Sequence, residues 1–430
     1  MKSPTLSPMK TTMTLLILGA ASNAQTTALR TVTVGPLSIE EAGFTVFWEA
    51  RLPVGAAEVL ENGYLRDDAL YVTTDGGTVF ALHAETGLLR WGEILTEPAF
   101  TIFAPSHVHT ADGRGPVVIP TTNQVYVKDR YSGKDLIRFK SDFPVGTPAV
   151  GFDDVLLMGS LNGRFYSLGW DPARLVEPIK RWDVSTGGPM SAAPVLYPPK
   201  SLLIASQSGS IFSCQAHNKV LNWEYKVGGP IIGDPAVDAG GAYVPSMDRS
   251  MYKLHAQNGA LLWRTRFPDP LKTGPAVAGQ TVYQFTPSQG VTALDSITGA
   301  EKWQQREATQ FVAHGATGDI LFAPSGRLLV VDHENGKVLS IVAVPSASRA
   351  VVNTVDDTIY LLGQAGRVLC LRRDKVPYLR RQQVLMTQET MNSPPPVVRS
   401  TTTLTAPRPP APPRDDPFRS RRDRDPATNP

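Results

Sequence analysis

The chain holds 430 residues with 42 basic and 39 acidic side chains, and a formal charge of +3 gives no electrostatic reason to expect a nucleic-acid partner. A hydrophobic content of 42% excludes wholesale disorder. Two cysteines, Cys214 and Cys370, are too few for a disulfide-stapled miniprotein or a Cys-rich zinc site.

Residues 1–24 read as an export signal. Lys10 precedes an apolar run from Met13 to Ala21, and Ser22-Asn23-Ala24 places small residues at cleavage spacing before Gln25. The run is too short to cross a bilayer, and no later stretch is long and apolar enough to do so. No cysteine follows the cleavage position, so a lipid-anchored form is not expected.

After a lead-in over 25–42, one short pattern recurs along 43–376. It is written as GTVFALHAETGLLRW (77–91), NQVYVKDRYSGKDLI (123–137), GRFYSLGWDPARLVEPIKRW (163–182) and GSIFSCQAHNKVLNW (209–223). It continues as SMYKLHAQNGALLW (250–263), ALDSITGAEKW (293–303), GRLLVVDHENGKVLS (326–340) and GRVLCLRRDK (366–375). The anchor position falls at Trp91, Ile137, Trp182, Trp223, Trp263, Trp303 and Ser340, at intervals of 46, 45, 41, 40, 40 and 37 residues. A period near forty fits four strands of ~5–6 residues with short turns. ALYVTT, DVLLMGS, GAYVPS and QTVYQF read as second strands, and TPAVGFDD and DPAVDAG as small-residue innermost strands.

Radial stacking of such sheets is a β-propeller. Eight inner hairpins are followed by only seven anchors, and the missing outer strand lies at the other end of the chain. It is GFTVFWEARLP, where Trp48 precedes Trp91 by 43 residues. The expected fold is therefore all-β: an eight-bladed propeller of four-stranded antiparallel blades, closed by its N-terminal strand.

Ala293-x-Asp295-x-x-Thr298-Gly299-x-x-x-Trp303 resembles the tryptophan-docking motif of the pyrroloquinoline-quinone-like (PQQ-like) propellers, and the likeness runs over about residues 44–374. That family includes quinoprotein alcohol dehydrogenases and the BamB-like outer-membrane assembly propellers, to which the chain is closest in type. Asp295 and Asp332 are expected to accept hydrogen bonds from turn amides. Gly87, Gly133, Gly259, Gly299 and Gly336 would supply the positive φ of the turn. Trp48, Trp91, Trp182, Trp223, Trp263 and Trp303 would each dock on the neighbouring blade, with the indole N–H needing an acceptor. His83, Gln215, His255 and Arg372 stand in the Asp place, and Ile137 and Ser340 in the Trp place. Blades 2 and 7 are thus expected to be less well tied, with Phe139 compensating for Ile137.

For dehydrogenase members the resemblance implies a quinone stacked on a Trp beside a disulfide of adjacent cysteines, with calcium and a catalytic Asp. Cys214 and Cys370 are not adjacent; placed in blades 4 and 8, they cannot bond. The short turns build no roofed pocket. No catalytic, cofactor-binding or metal-binding residue is assigned, and no cofactor is expected. His107-Val108-His109 offers two imidazoles with only Asp112 as a third candidate ligand, and reads as a surface loop. Asp67-Asp68, Asp153-Asp154 and Asp356-Asp357 recur before second strands and mark turns.

Beyond the propeller, a short helix is expected within 377–392. Eleven of the 37 prolines fall in 394–430, so residues 393–430 read as a disordered Pro/Arg-rich tail. The functional expectation is an exported, periplasmic or envelope-associated, monomeric scaffold without catalysis, which binds protein partners, in outer-membrane protein assembly. The competing readings are a PQQ-dependent dehydrogenase and a carbohydrate or small-ligand sensor.

Overall fold

The computed structural model describes residues 36–110, 113–171, 176–198, 200–373, 376–379 and 381–392, together with the antiparallel pair Met13–Thr14 and Thr31–Val32. The rest of the export-signal segment, Asp112 and residues 393–430 lie outside the described residues.

Eight four-stranded antiparallel sheets follow one another along the chain. Blade 1 comprises Leu60–Arg66, Ala69–Thr74, Thr78–His83 and Leu89–Ile94. Blade 2 comprises Ser106–His107, Val117–Pro120, Gln124–Lys128 and Asp135–Lys140. Blade 3 is built from Val145–Phe152, Val155–Ser160, Arg164–Gly169 and Ile179–Ser185. Blade 4 is built from Val195–Tyr197, Ser201–Ala205, Ser210–Gln215 and Leu221–Lys226. Blade 5 holds Ala236–Asp238, Gly241–Ser246, Ser250–Leu254 and Leu261–Arg266. Blade 6 holds Ala276–Ala278, Thr281–Thr286, Gly290–Asp295 and Glu301–Gln305. Blade 7 runs through Gln310–Gly315, Gly318–Ala323, Arg327–Val331 and Val338–Ala343. Blade 8 takes Ala347–Ala350, Ile359–Gly363 and Arg367–Arg373 from the end of the propeller, and Phe44–Arg51 from its beginning.

Every residue of the second strands Ala69–Thr74, Val155–Ser160 and Gly241–Ser246 is buried. Both faces of these strands are covered by neighbouring blades, which is why they read as continuous apolar runs without alternation. The outer strands differ: in Leu261–Arg266 only Trp263 is fully buried. The core is accordingly divided into clusters at the junctions between blades. One unites Tyr243 and Trp263 of blade 5 with Val282 and Leu294 of blade 6, for example.

The ring is closed as expected. Phe44–Arg51 pairs with Arg367–Arg373, setting Trp48 opposite Cys370, and Arg367 Nη2 donates to Glu49 Oε2 at 2.9 Å. A register irregularity falls beside each of Trp48, Trp91, Trp182, Trp223, Trp263 and Trp303. Such bulges kink a strand locally and re-aim its side chains, here next to the residue that meets the neighbouring blade. A helix, Arg381–Asn392, follows blade 8 in the chain.

Candidate functional site

The repeated turn builds the same geometry at six junctions. The indole N–H of Trp48 donates to Ala84 O at 3.1 Å, that of Trp91 to Arg130 O at 3.1 Å and that of Trp182 to His217 O at 3.1 Å. Trp223 donates to Ala256 O at 2.8 Å, Trp263 to Ser296 O at 3.1 Å and Trp303 to His333 O at 2.9 Å. Each acceptor lies in the turn before the outer strand of the next blade. Gly87, Gly133, Gly259, Gly299 and Gly336 hold φ between 65° and 72° there, and a Cβ on any of them would stand 2.5–2.6 Å from a ring carbon of the docked Trp. Glycine is thus required twice, for backbone conformation and for the close approach of the ring. At the Trp182 junction the corresponding residue is Lys219, forced to φ 54°.

The Asp positions close the turn. Asp295 Oδ1 accepts from Ile297 N at 3.1 Å and Thr298 N at 2.8 Å, and these bonds hold its carboxyl below the usual carboxylate range. Asp332 accepts in the same way from Glu334 N and Asn335 N at 3.0 and 3.1 Å.

The two junctions without a docking Trp are filled by other means, and Phe139 is buried beside Ile137 as expected. Ile137 and Phe139 share a buried cluster with Phe143, Tyr166 and Trp170, the last coming from the longer turn of blade 3. Phe143 and Tyr166 stack there with ring centroids 3.8 Å apart. Near Ser340 the lead-in runs along the outer strand of blade 7. Leu37 N donates to Ile341 O at 2.7 Å, Ala343 N donates to Leu37 O at 3.0 Å, and Phe44 enters the buried cluster.

Around the propeller axis a cavity of about 350 Å³ is lined by Glu61, Tyr64 and Arg66 of blade 1, Asp234, Gln310 and Arg349, among others. It carries charges of both signs. Asp234 is open to the cavity yet enclosed by protein, and this burial raises its carboxyl pKa despite a 2.7 Å bond from Ala193 N and the charge of Arg66. Burial likewise pushes the Tyr64 phenol up to about 12. A neighbouring cavity of about 390 Å³, lined by Tyr283, Phe285 and Phe311 among others, shares Gln310 and Arg349 with the first.

The family model described as outer membrane protein assembly factor BamB matches residues 179–305 and 236–400, together just over half of the chain. The chain belongs to this family. BamB from Moraxella catarrhalis superposes on it with a TM-score of 0.62 at 16% identity, over 78% of this chain and 99% of that one. The computationally designed Ika8 protein superposes with a TM-score of 0.58 at 14% identity, over 74% of this chain and 98% of that one. At these identities the likeness to solved structures is one of fold. No relative is found among curated protein sequences.

The BamB family model belongs to the PQQ-like repeats, whose dehydrogenase members hold a quinone against a tryptophan, and the residues present here decide whether one fits. They do not fit it. All seven tryptophans lie in the packing between blades, Trp170 included, and none lines the axial cavities. Cys214 and Cys370 are buried and free in blades 4 and 8, and burial pushes each thiol up to about 12.

His107 and His109 are not brought together in this member of the BamB family. His109 is exposed, whereas His107 is buried, so its reading as a surface-loop residue is corrected. His107 Nδ1 meets Asp67 Oδ2 at 2.7 Å and its Nε2 meets the Tyr71 hydroxyl at 2.9 Å. Both nitrogens of a neutral ring are thereby satisfied, and burial lowers its pKa. The paired acids sit at first hairpin turns, where Asp67 and Asp153 take positive φ while Asp68 and Asp154 pair with Arg90 and Arg181. The histidines that do converge are His314 and His333, on Asp319 in blade 7. Sequence reasoning missed them because the three residues are spread over twenty positions, 314 to 333; the one available signal is an acid in a strand that other copies write with aliphatics.

Proposed function

We propose that the chain is an exported, non-catalytic propeller scaffold of the cell envelope that holds protein partners during outer-membrane protein assembly. Membership of the BamB family supports this reading. The observation that carries it is a row of apolar side chains left open on successive blades. Val220 and Leu221 of blade 4, Leu261 and Leu262 of blade 5, and Ile297 of blade 6 are between 45% and 66% exposed. Four of them lie on or beside the outer strands of blades 4 and 5, which pair on one side only among the described residues. An unpaired strand edge flanked by leucines suits the addition of an extended segment from a β-rich partner, with backbone bonds supplying affinity and the leucines specificity. No helix among the described residues is long and apolar enough to cross a membrane.

The test compares the full chain with a Leu261→Lys/Leu262→Lys variant in cross-linked pull-downs from envelope extract. Loss of a specific captured protein, with an unchanged melting temperature, is the expected result; identical capture by both would overturn the assignment of this surface. In parallel, pyrroloquinoline quinone with calcium is expected to show no stoichiometric binding and no dye-linked dehydrogenase activity. Tight binding would favour the dehydrogenase reading instead.

A further inference from the structure

Asp319 is a fully buried acid at the start of the second strand of blade 7, opposite Val331 in the register. The equivalent position in other blades is aliphatic and equally buried: Leu70, Leu156, Leu202 and Val282 face Leu82, Leu168, Cys214 and Leu294 in the same way. Blade 7 alone among these puts a carboxylate where the fold elsewhere buries a methyl-bearing side chain. An isolated buried carboxylate is costly unless a cation or several donors compensate it.

What compensates it is a pair of imidazoles. Asp319 Oδ1 lies 2.7 Å from His314 Nδ1 and 2.9 Å from His333 Nδ1, and the two rings have centroids 4.4 Å apart. The second oxygen, Oδ2, is buried and makes no well-formed hydrogen bond among the described residues, although the Tyr283 phenol interacts with this carboxylate. The nearby guanidinium of Arg373 is held by Asp357 at 3.2 Å and makes no ion pair with Asp319. One candidate ligand atom from each of the three residues falls within 4.8 Å of the other two. The His314 and His333 side chains are 41% and 29% exposed, so the cluster has a buried acid at its base and an opening to solvent.

We propose that His314, Asp319 and His333 form a binding site for a divalent transition-metal ion of the zinc class. Two imidazole nitrogens and one carboxylate oxygen are the donors such an ion prefers, and three protein ligands leave a position open for water or a partner's side chain. Asp319 is the pre-placed acidic ligand, backed by the Tyr283 phenol. The ligands come from the inner strand, the second strand and the docking turn of blade 7, so an ion would tie all three together. His333 also supplies the carbonyl that accepts the Trp303 indole N–H. Metal occupancy would therefore stiffen the junction of blades 6 and 7.

The experiment uses the full-length chain without an affinity tag, stripped with a chelator and titrated calorimetrically with zinc chloride, alongside a thermal melt. The expected result is one zinc bound per chain with a rise in melting temperature. His314→Ala and His333→Ala should each weaken binding by at least about tenfold. Asp319→Leu, which restores the residue type of the other blades, should abolish binding while the metal-free protein melts no lower than the parent. No stoichiometric binding, or binding that survives in the His314→Ala/His333→Ala double variant, overturns the proposal.

Discussion

Trp48 donates its indole N–H to the carbonyl of Ala84 at 3.1 Å and lies against Gly87, so the first strand of the propeller is docked onto the first blade while pairing with the last. If this docking closes the ring, Trp48→Ala removes a large ring from a packed junction and should cost about 3 kcal/mol. Calorimetry should show the whole propeller melting earlier in one transition, and deletion of residues 25–52 should do so more strongly. An unchanged melt would contradict closure through this strand.

The turn geometry makes two opposite substitutions informative. Gly299→Ala places a methyl group against the Trp263 ring and strains a φ of 72°, so it should destabilise by about 1–3 kcal/mol. Lys219→Gly relieves a left-handed lysine at φ 54° and should stabilise by up to about 1 kcal/mol. Denaturant midpoints with unchanged slopes would read both effects.

Both thiols are buried and shifted up to about 12, which leaves almost no thiolate at neutral pH. A chromogenic disulfide reagent should therefore find no reactive thiol in the native protein and two after denaturation. Fast reaction of either in the native state would place it elsewhere than between blades.

His107 is kept neutral by burial, so its pKa in the folded state is depressed below the ~6.5 of the unfolded chain. Above that value neither state binds the proton. As pH falls below it, the unfolded chain is protonated first and stability drops until the folded-state pKa is reached. The melting temperature should thus fall between pH 7.5 and 5.5, with a shallower slope in His107→Gln. Equal slopes would show that other groups dominate.

The propeller was legible because its signals are local and repeated: a turn glycine, a docking tryptophan and a hairpin recur at one spacing, and the count itself exposed Trp48 as the displaced strand. Trp170 and Leu37 were not legible as junction fillers, since each acts across space at a place where the repeat is broken. His107 read as a surface residue because nothing in its own segment reveals Asp67 and Tyr71, some forty residues earlier in the chain. The acid at 319 drew no reading from the sequence; only the strand register shows that it occupies an aliphatic position. Outer-edge leucines such as Leu261 gave no signal either, because a half-buried strand and an open one share the same alternation.

Glu49 and Arg367 are separated by 318 positions in sequence and meet across the eighth blade. The strand carrying Glu49 leaves the ribosome first among those of the propeller, and its partner strand leaves last. Seven sheets can zip up from neighbouring segments in the order of synthesis, but the eighth must wait for nearly the entire chain. Completion is thus a long-range event, slow by the entropy of bringing such distant segments together. Until it happens, the leading strand stays an unmatched ribbon with one open edge.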